Sequence, residues 1–225
     1  MKVIIVNGSP RKNGATGKLL KEMEHYLSTK EELSVKTYHL SEGSLKYCKG
    51  CLLCNKTGYC IIKEDMLDDL MEDIGQSDAV VFGSPTYASN VSGLFKTLID
   101  RGGFVFGQLL YNKAGFIVST YENYSGGQAI KIMSRLLLYS GASRKGSFLL
   151  KLNFNEDPFT NPRNLQNFRR KLDQFYRQLK EHKGKKLQER LLHHIIIHIG
   201  IKPRIMKQPE RYTGIINRWK ELNII

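Results

Sequence analysis

Two rhythms of apolar residues alternate along the first 180 positions. Short runs rich in valine and isoleucine end at glycine or proline, and between them leucine or methionine returns every three or four residues. KVIIVNG, residues 2–8, is the first run, and its unbroken apolar middle predicts a strand buried on both faces. GATGKLLKEMEHYLS follows, with Leu19, Leu20, Met23 and Leu27 at helical spacing. LSVKTYHL alternates as a second strand. KEDMLDDLMEDIGQS predicts a short acidic helix with Met66, Leu70, Met71 and Ile74 on its apolar face and its acids in solvent. DAVVFGSP, KAGFIVST and KGSFLL predict three further strands, with helices SGLFKTLIDR and GQAIKIMSRLLLYSG between them. A last long helix, NPRNLQNFRRKLDQFYRQLKEH, has Asn161 as its cap and Pro162 at its first position.

Strands separated by helices cannot pair as hairpins, so they form a parallel sheet with helices on both faces, an α/β doubly wound fold. Such sheets bind ligands beyond the carboxyl ends of their strands, where the strand order reverses. The loops after strands one, three and four are therefore the places to look for chemistry. Residues 1–182 read as one domain. Residues 183–225, with the helical pattern LQERLLHHIIIHIG, read as a basic helical extension packing on that domain or on an oligomer partner.

Composition narrows the classes. With 41% hydrophobic and 25% charged residues the chain is expected to bury a core. MKVIIVNGSP does not read as a signal peptide, and no apolar run reaches membrane-spanning length, so a cytoplasmic location is expected. In that reducing compartment clustered cysteines serve as ligands or redox groups sooner than as structural disulfides. The net charge is +14, and seventeen basic against seven acidic side chains fall in residues 151–225. A solvated basic surface accounts for this excess, and a nucleic-acid partner is not expected.

The first loop, NGSPRKNGATGK, is neither a Walker A motif nor a G-x-G-x-x-G fingerprint. It has what an anion site needs all the same. Ser9 and Thr16 offer hydroxyls, Asn13 an amide and Arg11 a fixed charge. Gly14 and Ala15 let backbone N–H groups approach closely at a helix N-terminus, which favours negative charge.

GSPRKNGAT and, further on, VVFGSPTYASNVSGLFKTLIDR together give a family likeness. The chain resembles the NAD(P)H-dependent FMN reductase branch of the flavodoxin-like superfamily. The resemblance implies a five-stranded sheet of order 2-1-3-4-5 and FMN as cofactor, its phosphate in the first loop. It implies that Ser84, Pro85, Thr86, Tyr87 and Ser89 line the isoalloxazine ring. In the fourth loop, STYENYSGGQA, it places Ser119, Thr120, Tyr121, Gly126 and Gly127 at the ring edge.

All four cysteines fall in YCKGCLLCNKTGYC, as C-x2-C-x2-C-x5-C at Cys48, Cys51, Cys54 and Cys60. Lying between strand two and the acidic helix, they are expected at the same sheet edge as the flavin loops. Such close spacing suits one inorganic core wrapped by a tight coil, with Gly50 and Gly58 supplying left-handed positions. Structural zinc more often uses two separated C-x2-C pairs. Free or disulfide-forming thiols are the third reading. The stretch is similar to the compact motif of the iron–sulfur flavoproteins, which implies a [4Fe–4S] cluster exchanging electrons with FMN in a homodimer or homotetramer.

No Ser-His-Asp or Cys-His catalytic set can be assigned, and a flavin needs none. His194 and His198 have metal-pair spacing without a carboxylate in register, and read as surface or packing residues. The expected function is electron transfer from NAD(P)H or a ferredoxin-type donor through FMN to a small acceptor such as a flavin or quinone. The alternatives are a flavin-only reductase with redox-sensitive cysteines, and a non-catalytic flavodoxin-fold module that binds an anionic partner through its basic C-terminal third.

Overall fold

The computed structural model describes residues 1–181 and 187–225. Its five strands are β1 (Lys2–Asn7), β2 (Ser34–His39), β3 (Ala79–Pro85), β4 (Ala114–Tyr121) and β5 (Ser143–Lys151). They pair in parallel in the order β2-β1-β3-β4-β5, the flavodoxin-like arrangement. The helices of this part are α1 (Ala15–Ser28), α2 (Leu53–Thr57), α3 (Leu67–Gln76), α4 (Gly93–Arg101), α5 (Phe104–Gly107), α6 (Gly127–Tyr139) and α7 (Pro162–Lys180).

Strand alternation divides the core into two layers. Ile4, Val6, Val80, Phe82 and Ile117 point to one face, where Leu70 and Ile74 of α3, Phe95 and Leu98 of α4, and Met133 and Leu137 of α6 cover them. Val3, Ile5, Val81, Phe116 and Val118 point to the other, under Leu19, Met23 and Leu27 of α1 and Phe168, Leu172 and Phe175 of α7. At about 1.5–3 kcal/mol for each fully buried large apolar side chain, these layers drive the fold. Asn161 caps α7 by accepting from the Arg163 N–H, with Pro162 first in the helix.

The acidic helix differs from its sequence pattern. It starts at Leu67, and Leu67, Leu70 and Ile74 form its buried stripe, whereas Met66 and Met71 are only partly buried. Two of its region's acids are not in solvent. Asp73 takes Lys2 at 2.6 Å and Lys36 at 2.5 Å, and also accepts from the Tyr38 hydroxyl. Asp65, just before the helix, is buried against Arg101 at the end of α4.

The predicted boundary at 182/183 lies outside the described residues. Beyond it come α8 (Leu187–His194), a wide π-helical stretch (Ile195–Ile201), α9 (Lys202–Met206), a short 3-10 turn and α10 (Thr213–Glu221). Pro203, which has no N–H to give, stands where the wide turn passes into α9. Ile197, Ile205, Ile215 and the fully buried Trp219 form a third small core. This segment is fastened to the sheet domain by polar bonds. Trp219 donates its indole N–H to the Phe106 carbonyl at 2.7 Å, Ser143 donates to Glu189 at 2.6 Å, and His193 meets Gln108 at 2.7 Å. His193 is thus the buried histidine of the segment, while His194 and His198 stack on each other with ring centroids 4.3 Å apart.

Candidate functional site

A cleft of about 670 Å³ opens beyond the carboxyl ends of β1, β3 and β4, beside the reversal of strand order. Its floor begins with the β1–α1 loop. Asn7, buried at the end of β1, accepts from the Ser9 N–H at 2.9 Å, and the Ser9 hydroxyl bridges the Arg11 N–H and C=O. The loop is drawn tightly over the helix. A Cβ on Gly17 would lie 1.7 Å from the Lys12 carbonyl oxygen, so only glycine fits there. Gly14 occupies the N-cap position and has no side chain to offer the first turn of α1. The leading N–H groups at Ala15 and Thr16 have no earlier carbonyl within the helix, and they open onto the cleft with the positive end of the helix dipole behind them.

The opposite wall is the β3–α4 loop. Tyr87 and Asn90 exchange both backbone hydrogen bonds at 2.9 Å, closing a two-residue turn. Its central residues, Ala88 and Ser89, sit at φ 46° and 60°, the left-handed region that side chains other than glycine's avoid. The closed turn places Tyr87, 42% exposed, at the mouth of the cleft. Ser92 secures the loop from behind. Its hydroxyl caps the Phe95 N–H and donates to the Gly8 carbonyl, and its N–H donates to Ser84. The third wall is the end of β4, where Thr120 meets Thr16. Thr86 donates to the Gly126 carbonyl at 3.1 Å, which ties β3 to the β4–α6 loop.

Of the residues singled out in the sequence, Ser9, Arg11, Asn13, Ala15, Thr16, Pro85, Thr86, Tyr87, Ser89, Thr120 and Tyr121 line this cleft together. Four do not. Ser84 and Ser119 are fully buried behind it, bonded to Ser92 and facing Thr86. Gly126 lies under the Tyr121 ring, 2.3 Å from where a Cβ would stand, and Gly127 begins α6 on the surface. Sequence reading missed a fourth wall, the β5–α7 loop. Arg11 donates to Asn155 at 2.5 Å and stacks over Phe154 at 4.9 Å, and Lys18 pairs with Asp157 at 2.5 Å. The Asp157 carboxyl is held below the usual carboxylate range chiefly by the Lys18 hydrogen bond. Only the run of polar residues in NFNED hinted at this loop.

The cysteines stand elsewhere. None of the four lines the cleft. Cys60 instead faces Arg101, the last residue of α4, whose N-cap is Ser92 behind the cleft. Nine helical residues, about 13 Å by helical rise, separate the two ends. The expectation that cysteines and flavin loops share one sheet edge is therefore corrected. The 27 residues between β2 and α3 leave enough chain to run back along the helix layer, and the buried Arg101–Asp65 pair draws them there. Gly50, Leu52 and Gly58 are all left-handed, at φ 64°, 58° and 83°, so the loop turns sharply between successive cysteines. All four thiols are free; Cys48 and Cys51 are exposed, and Cys54 and Cys60 are half-buried. Burial pushes the Cys54 thiol up, and the neighbouring sulfurs of Cys60, Cys51 and Cys48 push it further. Among the described residues no three His, Cys, Asp or Glu side chains converge where one metal ion could be held. Four thiols carried by one loop, three of them close enough to raise the fourth, are a donor set that an iron–sulfur cluster or a zinc ion can take.

The helical extension covers this loop. α10 packs on α2 so closely that a Cβ on Gly214 would lie 2.1 Å from the Gly58 nitrogen. Among the described residues no helix is long and apolar enough to cross a membrane.

A 2-1-3-4-5 parallel sheet with an uncapped helix N-terminus facing an aromatic turn across its switch-point cleft defines a flavodoxin-like protein. The sequence profile of the NADPH-dependent FMN reductases matches residues 1–150. The chain belongs to that family: it is an FMN-dependent oxidoreductase. It is 38% identical over 231 aligned positions to an iron–sulfur flavoprotein of Clostridioides difficile strain 630, covering 100% of both chains. It is 33% identical over 162 positions to an iron–sulfur flavoprotein of Archaeoglobus fulgidus, covering 71% of this chain and 76% of the relative. Among solved structures, the apo form of an NADH:FMN oxidoreductase superposes with a TM-score of 0.58 at 17% identity, covering 77% of this chain and 87% of the other. An archaeal flavodoxin superposes with a TM-score of 0.54 at 14% identity, covering 80% of this chain and 99% of the other.

Proposed function

We propose that the chain moves electrons from NAD(P)H or a ferredoxin-type donor, through FMN in the switch-point cleft, to a small acceptor such as a flavin or quinone. Cys48, Cys51, Cys54 and Cys60 would hold a [4Fe–4S] cluster that works with that flavin. The observation that carries this reading is the uncapped first turn of α1 opening onto the cleft opposite the strained Tyr87 turn. When bound, FMN supplies both hydride and one-electron chemistry.

The chain's own residues bind and orient. The N–H groups of Ala15 and Thr16, the hydroxyls of Ser9 and Thr16, the Asn13 amide and the Arg11 guanidinium would take the phosphate. Pro85, Thr86, Tyr87 and Ser89 would lie along one edge of the flat ring, with Thr120 and Tyr121 on the other side. Ser84, Ser119 and Gly126 support those walls from behind, and Gly127 starts the helix next to them.

The position of the cysteines bears on assembly. Cys60 stands at the end of α4 remote from the cleft, so a second copy whose cysteine loop meets this cleft brings the two centres together better than one chain does. This supports a homodimer or homotetramer. The test is anaerobic titration of the flavin-loaded protein with NADPH, NADH and reduced ferredoxin. Flavin bleaching by at least one of them, at stoichiometric donor, is expected; inertness toward all three would refute the assignment of donor class.

A second reading has one observation in its favour. The thiols of Cys48 and Cys51 are exposed, where solutes can oxidise or reduce them. A flavin-only reductase with redox-sensitive cysteines fits that arrangement, and iron analysis separates the two.

A further inference from the structure

Arg101 is a charged side chain with no exposure, at the end of the helix that leaves the flavin loop. A guanidinium has five N–H donors in a fixed fork, and Arg101 directs four of them at the cysteine-bearing segment. Nη1 donates to the Lys46 carbonyl at 2.9 Å and to the Asp65 carboxylate, and Nη2 donates to the Ile62 carbonyl at 2.7 Å. Nε faces the Cys60 sulfur at 3.5 Å. Asp65 completes the ring by accepting from the Lys46 and Leu67 N–H groups at 3.1 Å each. Residues 46 and 65 are thereby fastened together, and the segment between them contains every cysteine of the chain.

We propose that Arg101 is the positioning residue of the cysteine centre: its fork clasps both ends of the loop, and its Nε–H marks Cys60 as the one sulfur that receives a charged donor among the described residues. This rests on the reading that the cysteines hold a cluster. A plain buried salt bridge would need only the carboxylate. Here the pair spends its remaining donors and acceptors on backbone groups at 46, 62 and 67 and on a sulfur, all within or beside the cysteine segment.

The consequences follow from general cluster chemistry. An N–H donated to a ligating sulfur favours the more reduced and more negative state of the centre, so it raises the reduction potential, and because the charge of Arg101 is paired with Asp65 the hydrogen bond carries the effect. Partners of this kind, one bond removed from the metal, also hold ligands in place, and their loss costs about ten- to a hundredfold in metal affinity. Arg101 also links the two sites by covalent structure. Its helix is capped by Ser92, which bonds Gly8 and Ser84 behind the flavin cleft, so the clasp hangs from the same rigid rod as the flavin loop.

The test compares three anaerobically purified proteins: the wild type, Arg101→Lys, and the double variant Arg101→Gln with Asp65→Asn. The lysine variant keeps the charge and loses the fork. The double variant removes both charges, so no lone carboxylate is left buried. FMN content reports the fold in each. The readouts are iron and sulfide retained after gel filtration, the midpoint potential of the cluster, and hydrogen exchange of amides 46–66. We expect at least tenfold faster cluster loss in both variants, a more negative potential in whatever cluster the double variant retains, and faster exchange confined to 46–66, all at unchanged FMN content. Wild-type retention and potential in either folded variant would overturn the proposal. If the wild type itself holds no iron, the cluster reading fails separately. Exchange across 46–66 then decides the clasp: faster exchange in the variants upholds it, and an unchanged rate overturns it.

Discussion

The hydroxyl of Thr16, in the first turn of α1, lies 2.7 Å from the hydroxyl of Thr120 at the end of β4, and both side chains are buried. The two residues are 104 positions apart in the chain. Their bond joins the loop read as a phosphate cradle to the loop read as a ring edge, across the switch point of the sheet. Either hydroxyl can be the donor, which leaves the other free to turn toward a ligand.

Removing one of these hydroxyls tests the cradle. Thr16→Ala deletes a hydrogen bond worth about 0.5–1.5 kcal/mol and a potential phosphate donor. FMN affinity, read by quenching of flavin fluorescence on titration of apo-protein, is expected to fall by about tenfold. Ser9→Ala should act the same way by loosening Arg11. Unchanged affinity in both variants would count against phosphate binding at this loop.

Gly17 sets how closely the loop lies over α1. Gly17→Ala places a methyl group where the Lys12 carbonyl already stands. Overpacking of this kind costs about 1–3 kcal/mol, and relief requires residues 9–14 to move outward. The expected result is a loss of FMN affinity larger than that of Thr16→Ala, with the helical circular dichroism unchanged.

The acid limb of stability should depend on Asp73. Hydrogen bonds from Lys2, then Lys36, then Tyr38, hold its carboxyl far below the usual carboxylate range against a smaller opposing effect of burial. A depressed folded-state value contributes stability that is complete above the unfolded carboxylate value, about 3.9, and is lost as pH falls through the folded value. Asp73→Asn should lower Tm at pH 7 by roughly 2–4 °C, about 1 kcal/mol for a chain of this size. The deficit should shrink below about pH 4, and a constant deficit across pH would contradict this account.

Gly214 tests how the extension holds the cysteine loop. A side chain there meets the backbone of Thr57 and Gly58. Gly214→Ala should lift α10 from α2 and expose Trp219, the chain's single tryptophan and a fully buried one. A red shift of tryptophan emission with FMN binding retained is the expected signature. Unshifted emission would mean that α10 stays seated and that the contact of Gly214 with Gly58 does not hold it in place.

The sheet was legible because its strands are buried on both faces. KVIIVNG and DAVVFGSP carry no polar residue in their middles, and periodicity alone placed them. The cleft was legible where local chemistry marks it, at the glycine-bounded loop after β1 and at Pro85 and Tyr87 after β3. Three features were hidden because they depend on partners distant in sequence. Asp65 looks like one more acid of a solvated helix until Arg101, 36 residues away, covers it. Asn155 reaches Arg11 across 144 positions, with Phe154 beside it. The placement of the cysteines depended on the path of a long connection, which no local rhythm encodes. Ser84 and Ser119 carry the right residue types for a ligand site, but each sits inward in the strand alternation, and their hydroxyls serve the walls.

The most direct measurement is an absorption spectrum of anaerobically purified protein, combined with flavin, iron, sulfide and zinc assays. The account predicts flavin bands with a broad brown shoulder, one FMN per chain, and about four irons and four sulfides per chain without zinc. Flavin bands without iron would contradict the assignment of Cys48, Cys51, Cys54 and Cys60 to a cluster, and a protein that takes up no flavin even when FMN is added would contradict the central claim.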